Sequence, residues 1–540
     1  MNANKVNRVT DPMFNSYNPT FDPSGDYLYY LSDREFAPQI SDKEFNYAGN
    51  RSTYIYAVAL RRDVKNPFPT ESDEVTIASA PTPQPDKLTP PVEPQPKPQD
   101  GSKVIAGQGA AFSIMDATPQ GASGKKTVST AGLTTEINPA EEWNQIFNEV
   151  WRRYRDWFYV SNMHGYDWAR IRDEYKTWLP YVAHRSDLNY LISEMISELS
   201  TQHSYIEGGD FNLPPRVRVA LAGAKFEVDK AANRYKISKI YEGENEEEIY
   251  RSPLREVGVD ARVGDYILQI NGENVTADKD IYQYLRGKAD APVTLTVNSS
   301  PSLNGARQIS YRPITDESNL IYLDWVTANR RRVSEMTNGR VGYIHIPDMG
   351  AAGIREFIKW YYPQLDKEGM VVDVRANGGG NVSRMIIERL RRKVLGLNYF
   401  RTNEQPTTYP DGAAPNAMVA ILNENSASDG DIFPYMFRQA GLGLLVGKRS
   451  WGGVVGITNR GALIDGGTVN VPEFGMLNLK GEWVIEGHGV DPDIEVDNDP
   501  KSVVAGRDLQ LERAVEEVMK KLPTAPSKYP PRPPAPVKTN

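Results

Sequence analysis

The stretch from residue 81 to residue 100, PTPQPDKLTPPVEPQPKPQD, holds eight prolines and few apolar side chains. Proline removes a backbone donor and fixes φ, so such a run cannot enter a helix or a sheet interior, and it contributes nothing to a core. The chain must therefore bury its apolar surface in separate parts on either side. A plain linker is the expected role of this stretch, and a ligand for proline-binding grooves is the other reading. The tail after Leu522 has similar composition. At 540 residues the chain exceeds one hydrophobic core, and ordinary domain sizes give about three or four domains.

Ahead of the linker, FDPSGDYLYYLSD alternates apolar and polar residues after a turn signal, and STYIYAVAL follows as a second strand. Such pairs suggest a β-propeller blade or a sheet edge, and one blade cannot bury both its faces alone. After Asn138-Pro139 the period changes. Trp143, Ile146, Phe147, Val150, Trp151, Tyr154, Trp157 and Phe158 recur at helical spacing behind an Asn cap and a first-turn Pro. A second helix, DLNYLISEMISEL, runs into STQHSYIEGGD, a polar turn carrying His203. Residues of about 213 to 300 read as strand, short helix, hairpin, helix and strand. Within them, the run from Ser252 to Val275 resembles a PDZ domain of the bacterial kind, which binds extended peptides by strand addition. From Gly339, buried-strand runs (GRVGYIHIP, GMVVDVR, AMVAILN, LGLLVG) alternate with helical segments, the pattern of an α/β layer.

The expectation is a multidomain α+β protein. Its parts are a partial propeller-like segment (1–80), a Pro-rich and low-complexity linker (81–137), a helical subdomain (138–212) and a PDZ-like domain (213–300). Connecting strands (301–338), an α/β core (339–522) and a Pro-rich tail (523–540) complete it.

Composition serves mainly to exclude. There is no cysteine, so disulfides, thiolate metal sites and a cysteine nucleophile are ruled out, and nucleophilic catalysis falls to Ser or Thr. A net charge of -8 argues against nucleic acid as a partner. No window supplies the roughly 20 apolar residues of a membrane span. The amino terminus, MNANKVNRVTDPMF, lacks the apolar core of a signal peptide.

Chemistry concentrates where AMVAILN ends and SASDGDIFPYMFRQAG begins. A strand, a tight turn of small residues and a helix starting near Asp429 put Ser428 at a helix amino terminus. Free N–H groups and positive dipole potential there favour an oxyanion, with the Asp429 N–H as one donor. Ser is also a good N-cap, so capping is the competing reading. In VVDVRANGGGNVS, the triplet Gly378 to Gly380 allows close approach of a carbonyl and offers further amides. It lacks the Gly-Lys-Ser/Thr pattern of a phosphate loop. The bases on offer are His164, His184, His203, His345 and His488. His203 lies in a glycine-flanked polar turn, and His488 in VIEGHGVDPDIEV is its rival. Glu486, beside His488, is an acidic residue of the kind that orients an imidazole.

HSYIEGGD, GRVGYIHIPDMG, DVRANGGG, NSASDGD, GKRSWGGVVGI and EGHGVDPDIEV, in this order, resemble the tricorn-type serine proteases, relatives of the C-terminal processing proteases. The resemblance spans about residues 138 to 500 around the PDZ-like insertion, and residues 14 to 60 resemble part of that family's propeller region. It implies Ser428 as nucleophile, His203 as general base and Glu486 in the charge network. It places the Gly378–Gly379 region and the Asp429 amide at the oxyanion hole, with no metal and no organic cofactor. In C-terminal processing proteases a lysine in the later glycine turn serves as base; here Gly453 stands in that place, leaving the proton to His203. The family pattern has a serine before the histidine where this chain has Gln202, a possible bridge. The resemblance also implies peptide substrates, a hexameric assembly and a cytoplasmic setting, or an exported one if a signal peptide precedes the chain. Most of the propeller region is expected to be missing. The competing functional class is a non-catalytic PDZ scaffold that binds peptides.

Overall fold

The structure is a computed structural model. It describes residues 136–402, 406–415 and 417–522, together with 15–22, 24–40, 47–61, 103–108, 111–116, 124–129, 132–134, 524 and 529–539. The chain divides into two units, Met1–Glu136 and Ile137–Asn540.

In the first unit β1 (Asn15–Phe21), β2 (Tyr27–Ile40) and β3 (Tyr47–Ala59) form an antiparallel sheet in that order. The turn between β1 and β2 is closed by the Asp22 carboxylate, which accepts the N–H groups of Ser24 and Tyr27 around Gly25 at φ +74°. The second half of the expected linker carries structure. β4 (Lys103–Gln108), β5 (Ala111–Asp116) and β6 (Lys126–Val128) form an antiparallel meander. Apolar residues there face each other across the register, Val104 against Met115 and Ile105 against Ile114. The proline block at 81–100 lies outside the described residues.

The second unit opens with three helices, α1 (Pro139–Trp157), α2 (Trp168–Lys176) and α3 (Arg185–Ser197). Ile146, Phe147, Val150 and Tyr154 of α1 pack on Leu188, Ile192 and Met195 of α3. β7 (Tyr205–Glu207) follows. The embedded domain is an antiparallel sheet of β8 (Ala224–Asp229), β9 (Arg234–Ile240), β10 (Tyr266–Ile270), β12 (Val293–Asn298) and β13 (Arg307–Tyr311). β11 (Glu273–Asn274) pairs with β10, and the short helix α4 (Ile281–Leu285) packs on the sheet.

One expectation is corrected here. Residues 301–338 are not connecting strands: β13 belongs to the embedded sheet, and α5 (Ser318–Met336) is a helix. Leu320, Leu323, Val326, Asn329 and Val333 are its buried residues, spaced three and four apart. That period overrides the aromatic and β-branched residues, which by propensity suit a strand.

The core is a parallel sheet of β14 (Val341–His345), β15 (Gly369–Asp373), β18 (Ala417–Leu422), β19 (Gly443–Gly447) and β22 (Ile494–Glu495), in that order. Its central strands are buried on both faces, as parallel sheets require. Met370, Val372, Met418 and Ala420 face α6 (Ala351–Tyr361), α7 (Ser383–Leu390) and α8 (Asp429–Gln439). Val371, Val419 and Ile421 face α5 and α10 (Leu509–Met519). β16 (Gly396–Asn398) pairs with β17 (Thr407–Tyr409), and α9 (Pro500–Val504) precedes α10. Outside this sheet, β20 (Gly456–Asn459) and β7 both pair with β21 (Thr468–Phe474). That small sheet couples the helical subdomain to the core.

Candidate active site

Loops leaving the carboxyl ends of adjacent parallel strands converge on one crevice, the usual ligand position in such sheets. β15 leads to the Gly378–Gly380 triplet and its neighbour β18 leads to Ser428. Ser428 occupies the N-cap position of α8 with φ 59° and ψ -121°, and its side chain makes no capping hydrogen bond. A non-glycine residue in this region is strained, at an expense of roughly 1–3 kcal/mol, and a nucleophile presented at a strand-to-helix turn adopts such a conformation. The competing reading of Ser428 as a cap does not describe its hydroxyl.

The glycine loop lies directly against this turn. A Cβ at Gly379, itself at φ +93°, would stand 2.5 Å from the Ser428 Cβ and 2.9 Å from the Asp429 nitrogen. Only glycine fits. The three expected oxyanion donors differ in state. Among the described residues neither the Gly378 nor the Asp429 N–H has an acceptor, whereas the Gly379 N–H donates to Asn377 Oδ1 at 2.9 Å. The Asp429 carboxylate is buried and accepts from the Ser383 amide (2.9 Å) and hydroxyl (2.5 Å), tying α8 to the start of α7.

His203 is buried two residues before β7. Its Nδ1–H donates to the Val455 carbonyl at 2.8 Å, a tautomer that leaves Nε2 with a free lone pair. Trp451 and Tyr205 flank the ring at 5.3 and 6.0 Å between centroids. The loop Trp451–Val455 links the histidine to the serine. The Trp451 N–H donates to the Ser426 carbonyl (3.0 Å) and the Gly452 N–H to Asp431 Oδ1 (2.8 Å), on either side of Ser428 in sequence. Glu486 Oε2 accepts the Val454 and Val455 N–H groups at 2.7 and 2.9 Å. Its Oε1 accepts the Gln202 backbone N–H at 3.4 Å. Glu486 therefore reaches the imidazole through backbone, and Gln202 meets it by its main chain rather than its side-chain amide. A Cβ at Gly453 would collide with the Trp451 ring.

Asp431 is fully buried in the first turn of α8, and burial pushes its carboxyl up to about 6, with the Ser450 hydroxyl and Gly452 amide pulling the other way. Ser428 and His203 are not hydrogen-bonded to each other in this structure. His488 is exposed and its Nε2 sits on Asp491 at 2.7 Å, His184 caps α3, and His164 bridges Tyr159 and the Leu199 carbonyl. His345 is buried at the end of β14 against the Arg375 carbonyl. Reading the sequence missed Val455, Trp451, Asn377 and Asp431. The GKRSWGGVVGI motif was the only signal pointing to that loop. Among the described residues no cluster of His, Asp and Glu could hold a metal ion, and no helix is long and apolar enough to cross a membrane.

Family models for the tricorn protease C1 domain, the tricorn protease PDZ domain and peptidase family S41 match residues 139–197, 221–316 and 340–496. The chain is 32% identical over 584 residues to the putative tricorn-like protease C-terminal subunit of Sulfurisphaera tokodaii, covering 96% of this chain and 67% of that protein. The chain belongs to the tricorn protease family. It is 34% identical over 580 residues to the tricorn protease homolog of Saccharolobus solfataricus, covering 96% of this chain and 54% of that one. The crystal structure of the tricorn protease matches with a TM-score of 0.76 at 28% identity, over 94% of this chain and 55% of that chain. The chain thus spans about half the length of these last two tricorn relatives. The PDZ match ends at 316, which places β13 inside that domain.

Proposed function

We propose that the chain is a serine peptidase that cleaves peptide bonds through an acyl-enzyme on Ser428. The observation that carries this reading is Ser428 itself. A strained backbone presents its uncapped hydroxyl at a turn packed against the glycine loop, where among the described residues the Gly378 and Asp429 amides lack acceptors. The hydroxyl oxygen attacks the substrate carbonyl as His203 Nε2 takes its proton, closing the gap between the two side chains when substrate is bound. The tetrahedral oxyanion rests on the Gly378 and Asp429 N–H groups. His203 then returns the proton to the leaving amine, and water hydrolyses the ester. Glu486 keeps the Val455 carbonyl in place, and that carbonyl keeps the imidazole in its Nδ1–H form.

Peptides are the substrate class, as oligopeptides or unfolded segments that reach the crevice beside the PDZ domain. Family membership supports assembly into a homo-oligomer, a hexamer, and a cytoplasmic setting. The deciding experiment is labelling with a fluorophosphonate on wild type, Ser428→Ala and His203→Ala, with the adduct located by mass spectrometry. Modification of Ser428 that disappears in both variants supports the assignment. A folded wild type that takes no label on Ser428 overturns it.

A further inference from the structure

A cavity of about 600 Å³ opens on the α5 and α10 side of the core sheet, on the face opposite α8. Ile321, Tyr322 and Trp325 of α5 form its apolar wall, with His345 behind them. The His345 ring stands edge-on to Trp325 at 4.9 Å, accepts from the Tyr322 hydroxyl and donates to the Arg375 carbonyl. Burial depresses its basicity, so it adds no charge. The floor is the Arg375 guanidinium, which pairs with Asp373 at 2.6 Å and Asp508 at 2.9 Å. At the mouth, Glu424 and Asp497 are exposed and have no ion-pair partner among the described residues. The nearby Lys448 is engaged by Glu495 at 2.7 Å.

Two cations, Arg375 on the floor and Lys448 beside the mouth, therefore stand against five carboxylates. Lys448 is bound by Glu495 and also lies within electrostatic reach of Glu424 and Asp497, which leaves the entrance net acidic. The α5 amino terminus does not reverse this balance. Asp316 accepts the Ser318 N–H at 2.8 Å, and Glu317 occupies the N-cap. An apolar wall under an acidic mouth matches a side chain with an alkyl stem and a cationic head.

We infer that this cavity binds the side chain of a lysine or arginine residue of a peptide. The stem lies along Ile321 and Tyr322, and the ammonium or guanidinium is held between Glu424 and Asp497. The site is distinct from the Ser428 crevice, though it touches the base of it. Ala376 and Asn423 line the cavity, and Asn423 Oδ1 accepts the Ala376 N–H at 2.9 Å, two residues before Gly378. A basic residue seated there anchors a peptide on the back of the loops that carry the reactive groups.

Calorimetric titration of the full chain with Nα-acetyl-arginine amide, and with its neutral isostere Nα-acetyl-citrulline amide, tests the assignment. The arginine probe is expected to bind at least roughly ten-fold more tightly than the citrulline probe, an advantage that added salt erodes. The double variant E424Q/D497N changes only exposed side chains and is expected to lose that advantage, while Ser428→Ala keeps it. Circular dichroism and thermal melts confirm that each variant is folded. Equal binding of both probes, unchanged binding in the double variant, or no saturable binding up to about 10 mM would overturn the proposal.

Discussion

The Nδ1–H of His203 donates to the backbone carbonyl of Val455 at 2.8 Å, and among the described residues no carboxylate is hydrogen-bonded to the imidazole. The acidic partner acts one step away, since Glu486 accepts the N–H groups of Val454 and Val455 and so holds the residue whose carbonyl orients the ring. Two hydrogen bonds to an ionised oxygen hold a loop more firmly than neutral ones, roughly doubling the strength of each. In this geometry Glu486 bears on the position of the ring through the loop backbone.

Glu486→Ala is accordingly expected to cost more than Glu486→Gln. The alanine leaves two loop amides without an acceptor, at roughly 1–3 kcal/mol each, whereas glutamine retains one acceptor oxygen. Peptidase assays should show a fall in kcat/KM of roughly ten-fold for glutamine and a hundred-fold or more for alanine. Equal effects of the two would mean that the charge, and not the loop contact, is what Glu486 contributes.

Gly379→Ala should abolish labelling of Ser428 without unfolding the chain. The added methyl meets the Ser428 Cβ at 2.5 Å and the backbone sits at φ +93°, so the two loops must part. The expected stability loss is about 1–3 kcal/mol, with a much larger loss of reactivity because the Gly378 amide moves with its neighbour. Full fluorophosphonate reactivity in this variant would show that the loop contact is dispensable.

Much of this was legible because it depends on local pattern. Ser428 is found by a buried strand, a small-residue turn and a helix start, and the Gly378–Gly380 triplet announces a close approach. What stayed hidden is carried by backbone and by distance. A carbonyl such as that of Val455 has no residue-type signature, and it lies 252 positions from His203. The same holds for Gly379, whose amide is taken by Asn377, and for Gln202, which contributes its main chain rather than its side chain. α5 was misread for another reason. Ile321, Tyr322 and Trp325 are exposed or half-buried and resemble strand residues, while the helical period resides in Leu320, Leu323, Val326 and Val333.

Asp431 gives the fold a pH dependence of its own. Its carboxyl titrates near about 6 when folded against an ordinary value of 3.8, so between those values the folded chain holds a proton that the unfolded chain has released. Stability from this group is thus fully present below about pH 4 and lost as the pH rises through about 6. Urea unfolding at roughly pH 5 and pH 7.5 should show wild type losing on the order of 1 kcal/mol relative to D431N across that interval. Parallel pH profiles for the two proteins would rule out this contribution. The neighbouring Glu486 also raises the Asp431 value, so Glu486→Gln should move the same titration downward.

Ser428 holds a backbone conformation that glycine adopts freely and other residues adopt under strain, with φ 59° and ψ -121°. Its hydroxyl caps nothing and has no hydrogen-bond partner among the described residues, so replacing it removes none of their hydrogen bonds. Ser428→Gly should therefore be more stable than wild type by about 1 kcal/mol, the relief of strain exceeding the added freedom of glycine in the unfolded chain. Ser428→Ala keeps the Cβ and the strain, and should melt close to wild type. Both variants are expected to be inactive, so the two substitutions separate the energetic burden of presenting the hydroxyl from the loss of the hydroxyl itself. Thermal melts that place the glycine variant below the alanine variant would mean that the surrounding loops impose no strain at this position.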